Sequence, residues 1–174
     1  MSEKRHILIL GGARSGKSTY GESLAAAHKG PLTYIATAEA RDSEMKARIA
    51  THVERRGACW NTIEAPIELA ATLIDTARSG AFVLVDCVTL WLTNVMLADE
   101  DTQAATDALI EALERVEGTV VLISNEVGSG IVPENALARR FRDIAGLANQ
   151  RLAAQCDEVV LVTAGLPLAL KPRG

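Results

Sequence analysis

The sequence predicts an α/β protein, a three-layer sandwich with a mostly parallel central sheet and helices on both of its faces. Short apolar runs alternate along the chain with longer segments of helical composition and spacing. The runs are mostly β-branched and nearly continuous rather than alternating, which is the pattern of strands buried on both faces. A glycine-rich turn joins the first run to the first helical segment, giving a strand–loop–helix unit suited to such a sheet.

Taken in order, Ile7–Leu10 reads as the first strand. Ser18–His28, rich in Ala, Leu, Glu and Ser, reads as the helix after the turn. Leu32–Ala36 is the next strand and Ser43–Arg55 the next helix. Cys59–Ala65 is a candidate extra short strand. Pro66–Arg78 follows as a helix, with Pro66 suited to its first turn. Gly80 and Gly118 suit helix stops. They precede the strands Phe82–Val85 and Val120–Ile123. Between those strands lie helices Leu90–Ala98 and Thr102–Val116. Helix Glu134–Gln155 and strand Val159–Val162 close the pattern. No repeat, low-complexity tract or linker interrupts it, so residues 1–174 are expected to form one domain.

The net charge of −4, from 22 acidic and 18 basic residues, gives no general attraction for nucleic acid or an anionic membrane. Aromatic residues make up 3 % and are not interleaved with basic ones, which excludes a stacking platform for single strands. No apolar run is long enough to span a bilayer. Met1–Arg5 leads directly into the first strand, so no cleavable signal is expected and the expected location is cytoplasmic. Cys59, Cys87 and Cys156 are odd in number and far apart, which suggests neither a zinc site nor a disulfide framework.

The turn after the first strand reads Gly11, Gly12, Ala13, Arg14, Ser15, Gly16, Lys17 and Ser18. It fits G-x-x-x-x-G-K-[ST], the phosphate-binding P-loop, in the strand–loop–helix context that the motif requires. Its glycines let backbone N–H groups converge on one anion, and the helix N-terminus adds favourable partial charge. Lys17 is expected on the β- and γ-phosphates of a nucleotide and the Ser18 hydroxyl on Mg²⁺.

Ligands of such sheets bind at the carboxyl ends of the strands. That rule selects the P-loop, Thr37-Ala38-Glu39, Asp86-Cys87, Asn125-Glu126-Val127-Gly128 and Ala164-Gly165. Asp86, a carboxylate ending an apolar strand, reads as a Walker B residue for Mg²⁺. Glu126 reads either as a substrate-side wall or as part of a helix entry in which Pro133 sets the turn and Glu134 or Asn135 lies near the cap; the residues alone favour the helix entry. His52 shares a helical face with Met45, Ile49 and Val53. On the residues alone it is a histidine at the margin of an apolar stripe. The alternative is a neutral imidazole nucleophile or acid/base, with Arg48, Arg55 and Arg56 beside it for phosphates.

Further stretches accompany the P-loop: Tyr34-Ile35-Ala36-Thr37-Ala38, Arg48-Ile49-x-x-His52, Asp86-Cys87-Val88-Thr89-Leu90-Trp91-Leu92-Thr93-Asn94, Asn125-Glu126-Val127-Gly128-x-Gly130-Ile131-Val132-Pro133, and Phe141-Arg142-Asp143-x-Ala145-Gly146-x-x-Asn149-Gln150. In content and order, over nearly the whole chain, they resemble the bifunctional adenosylcobinamide kinase / adenosylcobinamide-phosphate guanylyltransferase family of cobalamin biosynthesis. The resemblance implies phosphorylation of adenosylcobinamide by ATP or GTP. It then implies transfer of GMP from GTP to the adenosylcobinamide phosphate through a guanylylated histidine, giving adenosylcobinamide-GDP and pyrophosphate.

By position the resemblance makes His52 the nucleophile, reversing the reading from the residues alone. It places nucleotide contacts on Gly11–Ser18, on Ala36, Thr37 and Ala38, on Val53, Glu54, Arg55 and Arg56, and on Glu64 and Asp86. Glu64 suits the N1–H and N2 amine of guanine. The resemblance also implies a homotrimer. Two rival readings are a P-loop kinase of another small molecule and a regulatory nucleotide-binding module; the sequence has no N-K-x-D guanine-reading motif to support a switch GTPase.

Overall fold

The computed structural model describes residues 4–39 and 59–172. Its elements are β1 (Arg5–Gly11), α1 (Lys17–Leu24), β2 (Leu32–Ala36), β3 (Trp60–Glu64), α2 (Leu69–Thr76), β4 (Phe82–Asp86), α3 (Val88–Leu97), α4 (Thr102–Arg115), β5 (Thr119–Asn125), α5 (Ala136–Gln155), β6 (Glu158–Thr163) and β7 (Leu166–Lys171). The expected helix Ser43–Arg55 lies outside the described residues. The strands form one sheet in the order β3-β2-β4-β5-β1-β6-β7. Every neighbouring pair is parallel except β6 and β7.

The near-continuous apolar runs are explained by burial on both faces. Leu8, Val83, Val85, Val120 and Leu122 pack under α2 to α5, against Leu73, Trp91, Leu92, Leu109, Leu113 and Leu152. The alternate residues Ile7, Ile9, Leu84, Val121 and Ile123 face the opposite way and meet Tyr20 and Leu24 of α1. Each fully buried aliphatic side chain contributes about 1.5–3 kcal/mol, so this double-sided core is the main source of stability. At Gly21 an added Cβ would lie 3.0 Å from Leu84 and 3.3 Å from Ile123. Its missing side chain lets α1, and with it the P-loop, sit close on the sheet.

Element ends differ from those expected from composition because local hydrogen bonds set them. α1 ends at Leu24 rather than His28, since Ala25, Ala26 and His28 donate three residues back in tight turns. α2 begins at Leu69, after Pro66 and Ile67. The carbonyls of those two residues accept from Asn94 and Trp91 of α3, which holds this stretch as a turn. α3 starts early, at Val88, where the Cys87 sulfur accepts from Leu90 N–H at 3.4 Å. Asn135 caps α5 by accepting from Leu137 and Ala138.

Cys59–Ala65 does contain a strand, β3. β7 has no counterpart among the expected elements. Ala164 and Gly165, both at positive φ (52° and 78°), make the two-residue turn that reverses the chain after β6. β7 lies at the sheet edge, where Pro167 is tolerated.

Candidate active site

The P-loop connects β1 in the middle of the sheet to α1 on one face. Gly16 holds φ +99°, which other residues rarely adopt, and an added Cβ there would lie 3.2 Å from Gly165 Cα. Gly165 N–H donates to Ser15 C=O at 2.8 Å, so the β6–β7 turn props the loop from outside. Gly12, Ala13 and Arg14 are exposed, and Arg14 adopts φ 55°. Lys17 is buried and its ammonium donates to Gly12 C=O at 2.5 Å. The lysine is thereby folded along the loop that a phosphate would fill. Burial pushes its pKa below the ordinary lysine value.

β5 separates β1 from β4, so Asp86 at the tip of β4 stands two strands from the P-loop strand. The first turn of α1 bridges that gap: Ser18 Oγ donates to Asp86 Oδ2 at 2.7 Å. A hydroxyl and a carboxylate are hard oxygen donors. Mg²⁺ takes one or two such protein oxygens and leaves the rest of its shell to phosphates and water, so this pair fits the ion.

Thr37 lies at the same end of the sheet but is fully buried. Its N–H donates to Asp86 C=O at 3.3 Å. Its hydroxyl donates to Cys87 C=O at 2.7 Å and accepts from Cys87 N–H at 2.8 Å. Asn94 Nδ2 donates to Thr37 C=O at 2.8 Å. The Thr37 hydroxyl is therefore engaged with the peptide behind Asp86. Ala36 is buried in β2 and Ala38 is half-buried beyond it. Burial in apolar surroundings holds the Cys87 thiol protonated, pushing its pKa up to about 11, so it acts as core and helix cap.

A second polar cluster organises the tip of β5. Ser124 Oγ donates to Asn149 Oδ1 at 2.7 Å and lies 3.2 Å from Thr89 Oγ1. Asn125 N–H donates to Thr89 Oγ1 at 2.6 Å, and Asn149 Nδ2 donates to Asn125 C=O at 3.2 Å. Glu126 N–H donates to Gly11 C=O at 3.0 Å, tying this tip to the P-loop. The Glu126 carboxylate turns back on its own loop, accepting from Ser129 Oγ at 2.6 Å and Gly128 N–H at 2.7 Å. The Ser129 hydroxyl bond, followed by the backbone donors, holds its pKa below the ordinary value. Glu126 is thus a loop tether. Sequence reasoning assigned no role to Thr89, Ser124 or Asn149; their cluster exists only once α3, β5 and α5 meet.

Glu64 is exposed at the tip of β3, the far edge strand. Four strand intervals, about 19 Å, separate β3 from β1. A nucleotide reaching both the P-loop and Glu64 lies across the tips of β5, β4 and β2. His52 and Val53, Glu54, Arg55 and Arg56 lie outside the described residues. Among the described residues no helix is long and apolar enough to cross a membrane.

Fold and site together define a P-loop nucleotide-binding protein. The family model described as cobinamide kinase / cobinamide phosphate guanyltransferase matches residues 7–170, and the chain belongs to that family. It is a bifunctional kinase and guanylyltransferase of cobalamin biosynthesis. The chain is 50 % identical over 166 residues to the bifunctional adenosylcobalamin biosynthesis protein CobP of Pseudomonas aeruginosa, covering 94 % of this chain and 96 % of that one. It is 43 % identical over 180 residues to the corresponding protein CobU of Salmonella typhimurium, covering 95 % and 99 %. Among solved structures it resembles the flagellar accessory protein FlaH of Methanocaldococcus jannaschii, at 12 % identity and a TM-score of 0.59 over 99 % of this chain and 80 % of that one. It also resembles an ATPase of a bacterial type III secretion system, at 13 % identity and a TM-score of 0.58 over 96 % and 57 %. These two likenesses concern the fold.

Proposed function

We propose that this chain phosphorylates adenosylcobinamide with ATP or GTP and then transfers GMP from GTP to the new phosphate. The second transfer passes through a guanylyl group on His52 and gives adenosylcobinamide-GDP and pyrophosphate. The observation that carries the reading is the convergence of Lys17, Ser18 and Asp86 at one phosphate loop, in a chain of this family.

The P-loop amides and Lys17 stabilise charge that develops on the β- and γ-phosphates. In the kinase step the acceptor hydroxyl oxygen bonds to the γ-phosphorus as its bond to the β–γ bridging oxygen breaks. The electron pair leaves with the nucleoside diphosphate and the hydroxyl proton passes to water. In guanylylation the His52 nitrogen bonds to the α-phosphorus and pyrophosphate departs from the same cradle. The acceptor phosphate then displaces the histidine, so one hard displacement becomes two easier ones. Mg²⁺, held by Ser18 and Asp86, supplies charge neutralisation for the phosphates. Glu64 accepts from guanine N1–H and N2, and Val53–Arg56 lie along the nucleotide. The assembly is a homotrimer and the location cytoplasmic.

The test is nucleotide turnover with purified protein, Mg²⁺ and GTP, with and without adenosylcobinamide, with products resolved by mass. Corrinoid-dependent formation of adenosylcobinamide phosphate, then of the GDP adduct with pyrophosphate, is expected. Slow turnover indifferent to the corrinoid would overturn the assignment. Replacing Glu64 by Ala is expected to lower GTP-over-ATP preference in guanylylation; an unchanged preference removes its assigned role.

A further inference from the structure

The tip of β5 holds one side chain that the account above leaves unused. Asn125 ends the strand lying between the P-loop strand and the Asp86 strand. It pairs in register with Gly11, the first residue of the phosphate loop, and Ile123 two residues earlier pairs with Asp86. Its backbone is pinned from two helices, N–H by Thr89 of α3 and C=O by Asn149 of α5. Consecutive strand residues face opposite ways. Ser124 turns toward α3 and α5, where it meets Thr89 and Asn149. Asn125 therefore faces with Ile123 toward α1 and the P-loop, on the side where α1 packs. Its half-buried carboxamide makes no hydrogen bond among the described residues.

We propose that Asn125 is a catalytic residue of phosphoryl transfer. Its Nδ2 donates to an oxygen of the outermost phosphate of the bound triphosphate, and its Oδ1 accepts from the attacking hydroxyl. A carboxamide does both at once without charge, so it orders nucleophile and phosphate without repelling either. The two pinning bonds hold the backbone and leave the side chain to the ligand. This rests on the P-loop being a nucleoside triphosphate site, as proposed above.

The test compares wild type with Asn125→Ala and Asn125→Asp. Equilibrium binding of a fluorescent guanosine diphosphate and of a non-hydrolysable fluorescent triphosphate is measured, followed by single-turnover phosphoryl transfer. Asn125→Ala is expected to bind the diphosphate within about twofold of wild type and the triphosphate about tenfold more weakly, the loss of one hydrogen bond to a charged group. The rate of transfer should fall about a hundredfold. Asn125→Asp, nearly isosteric, should discriminate against the triphosphate more strongly still; it decides the matter if the alanine variant does not fold. Equal affinities for the two nucleotides relative to wild type, or equal losses for both, would overturn the role. Wild type that fails to phosphorylate the corrinoid would refute the acceptor named above, while the diphosphate–triphosphate comparison would still judge Asn125.

Discussion

Thr37 illustrates how a residue beside a nucleotide site works through its neighbours. Its hydroxyl is the partner of Cys87 N–H, the amide directly after the Asp86 carboxylate. Replacing Thr37 by Val keeps the shape and leaves that buried N–H without its bond, a cost of about 1–3 kcal/mol. Urea denaturation should show that loss for Thr37→Val and most of the stability returning in Thr37→Ser; equal midpoints for Val and wild type would contradict it. His6 is the corresponding case at the other end of the sheet. Its ring is buried, its Nε2 has no hydrogen-bond partner among the described residues, and burial lowers its pKa. The unfolded chain takes up that proton near pH 6.5, more readily than the folded one. Its contribution is complete above that pH and is lost as pH falls toward and through the lower folded value. Denaturation midpoints should drop between pH 7 and 5 in wild type and less in His6→Phe; parallel pH profiles would exclude His6 as a source.

The central strands were legible as elements because they are buried on both faces and so carry nearly continuous apolar runs, as in Phe82–Val85 and Val120–Ile123. β7 was not, because all six of its residues are exposed and its leucines and Pro167 carry no β-branched run. Helix starts were legible only to within a few residues, since caps depend on single side chains. Asn135 is one of these: it satisfies two N–H groups at the start of α5, the helix that carries Asn149. Asn135→Ala should cost about 1 kcal/mol, read from chemical denaturation. An unchanged stability would mean the first turn of α5 does not depend on that cap. The P-loop was legible for a different reason: its glycines and lysine answer to backbone geometry and phosphate charge within eight consecutive residues. Thr89, Ser124 and Asn149 come together across 35 and 25 residues of chain, and no local pattern marks them.

Across the molecule, the sheet order puts the phosphate loop, the Asp86 carboxylate and the Asn125 tip on three neighbouring strands, with Glu64 on the far edge. One cradle for the β- and γ-phosphates can then serve two transfers, provided a second nucleophile reaches the α-phosphorus. In the proposed mechanism that nucleophile is His52, so the most direct measurement is covalent labelling. Intact protein and His52→Ala are incubated with Mg²⁺ and GTP labelled at the α-phosphate, then denatured. Label that stays on the intact protein, survives base, is lost in acid and is absent from the variant is the predicted result. No label on either protein would contradict the shared-cradle mechanism and leave a plain P-loop kinase in its place; equal label on both would put the guanylyl group on another residue and contradict the role of His52.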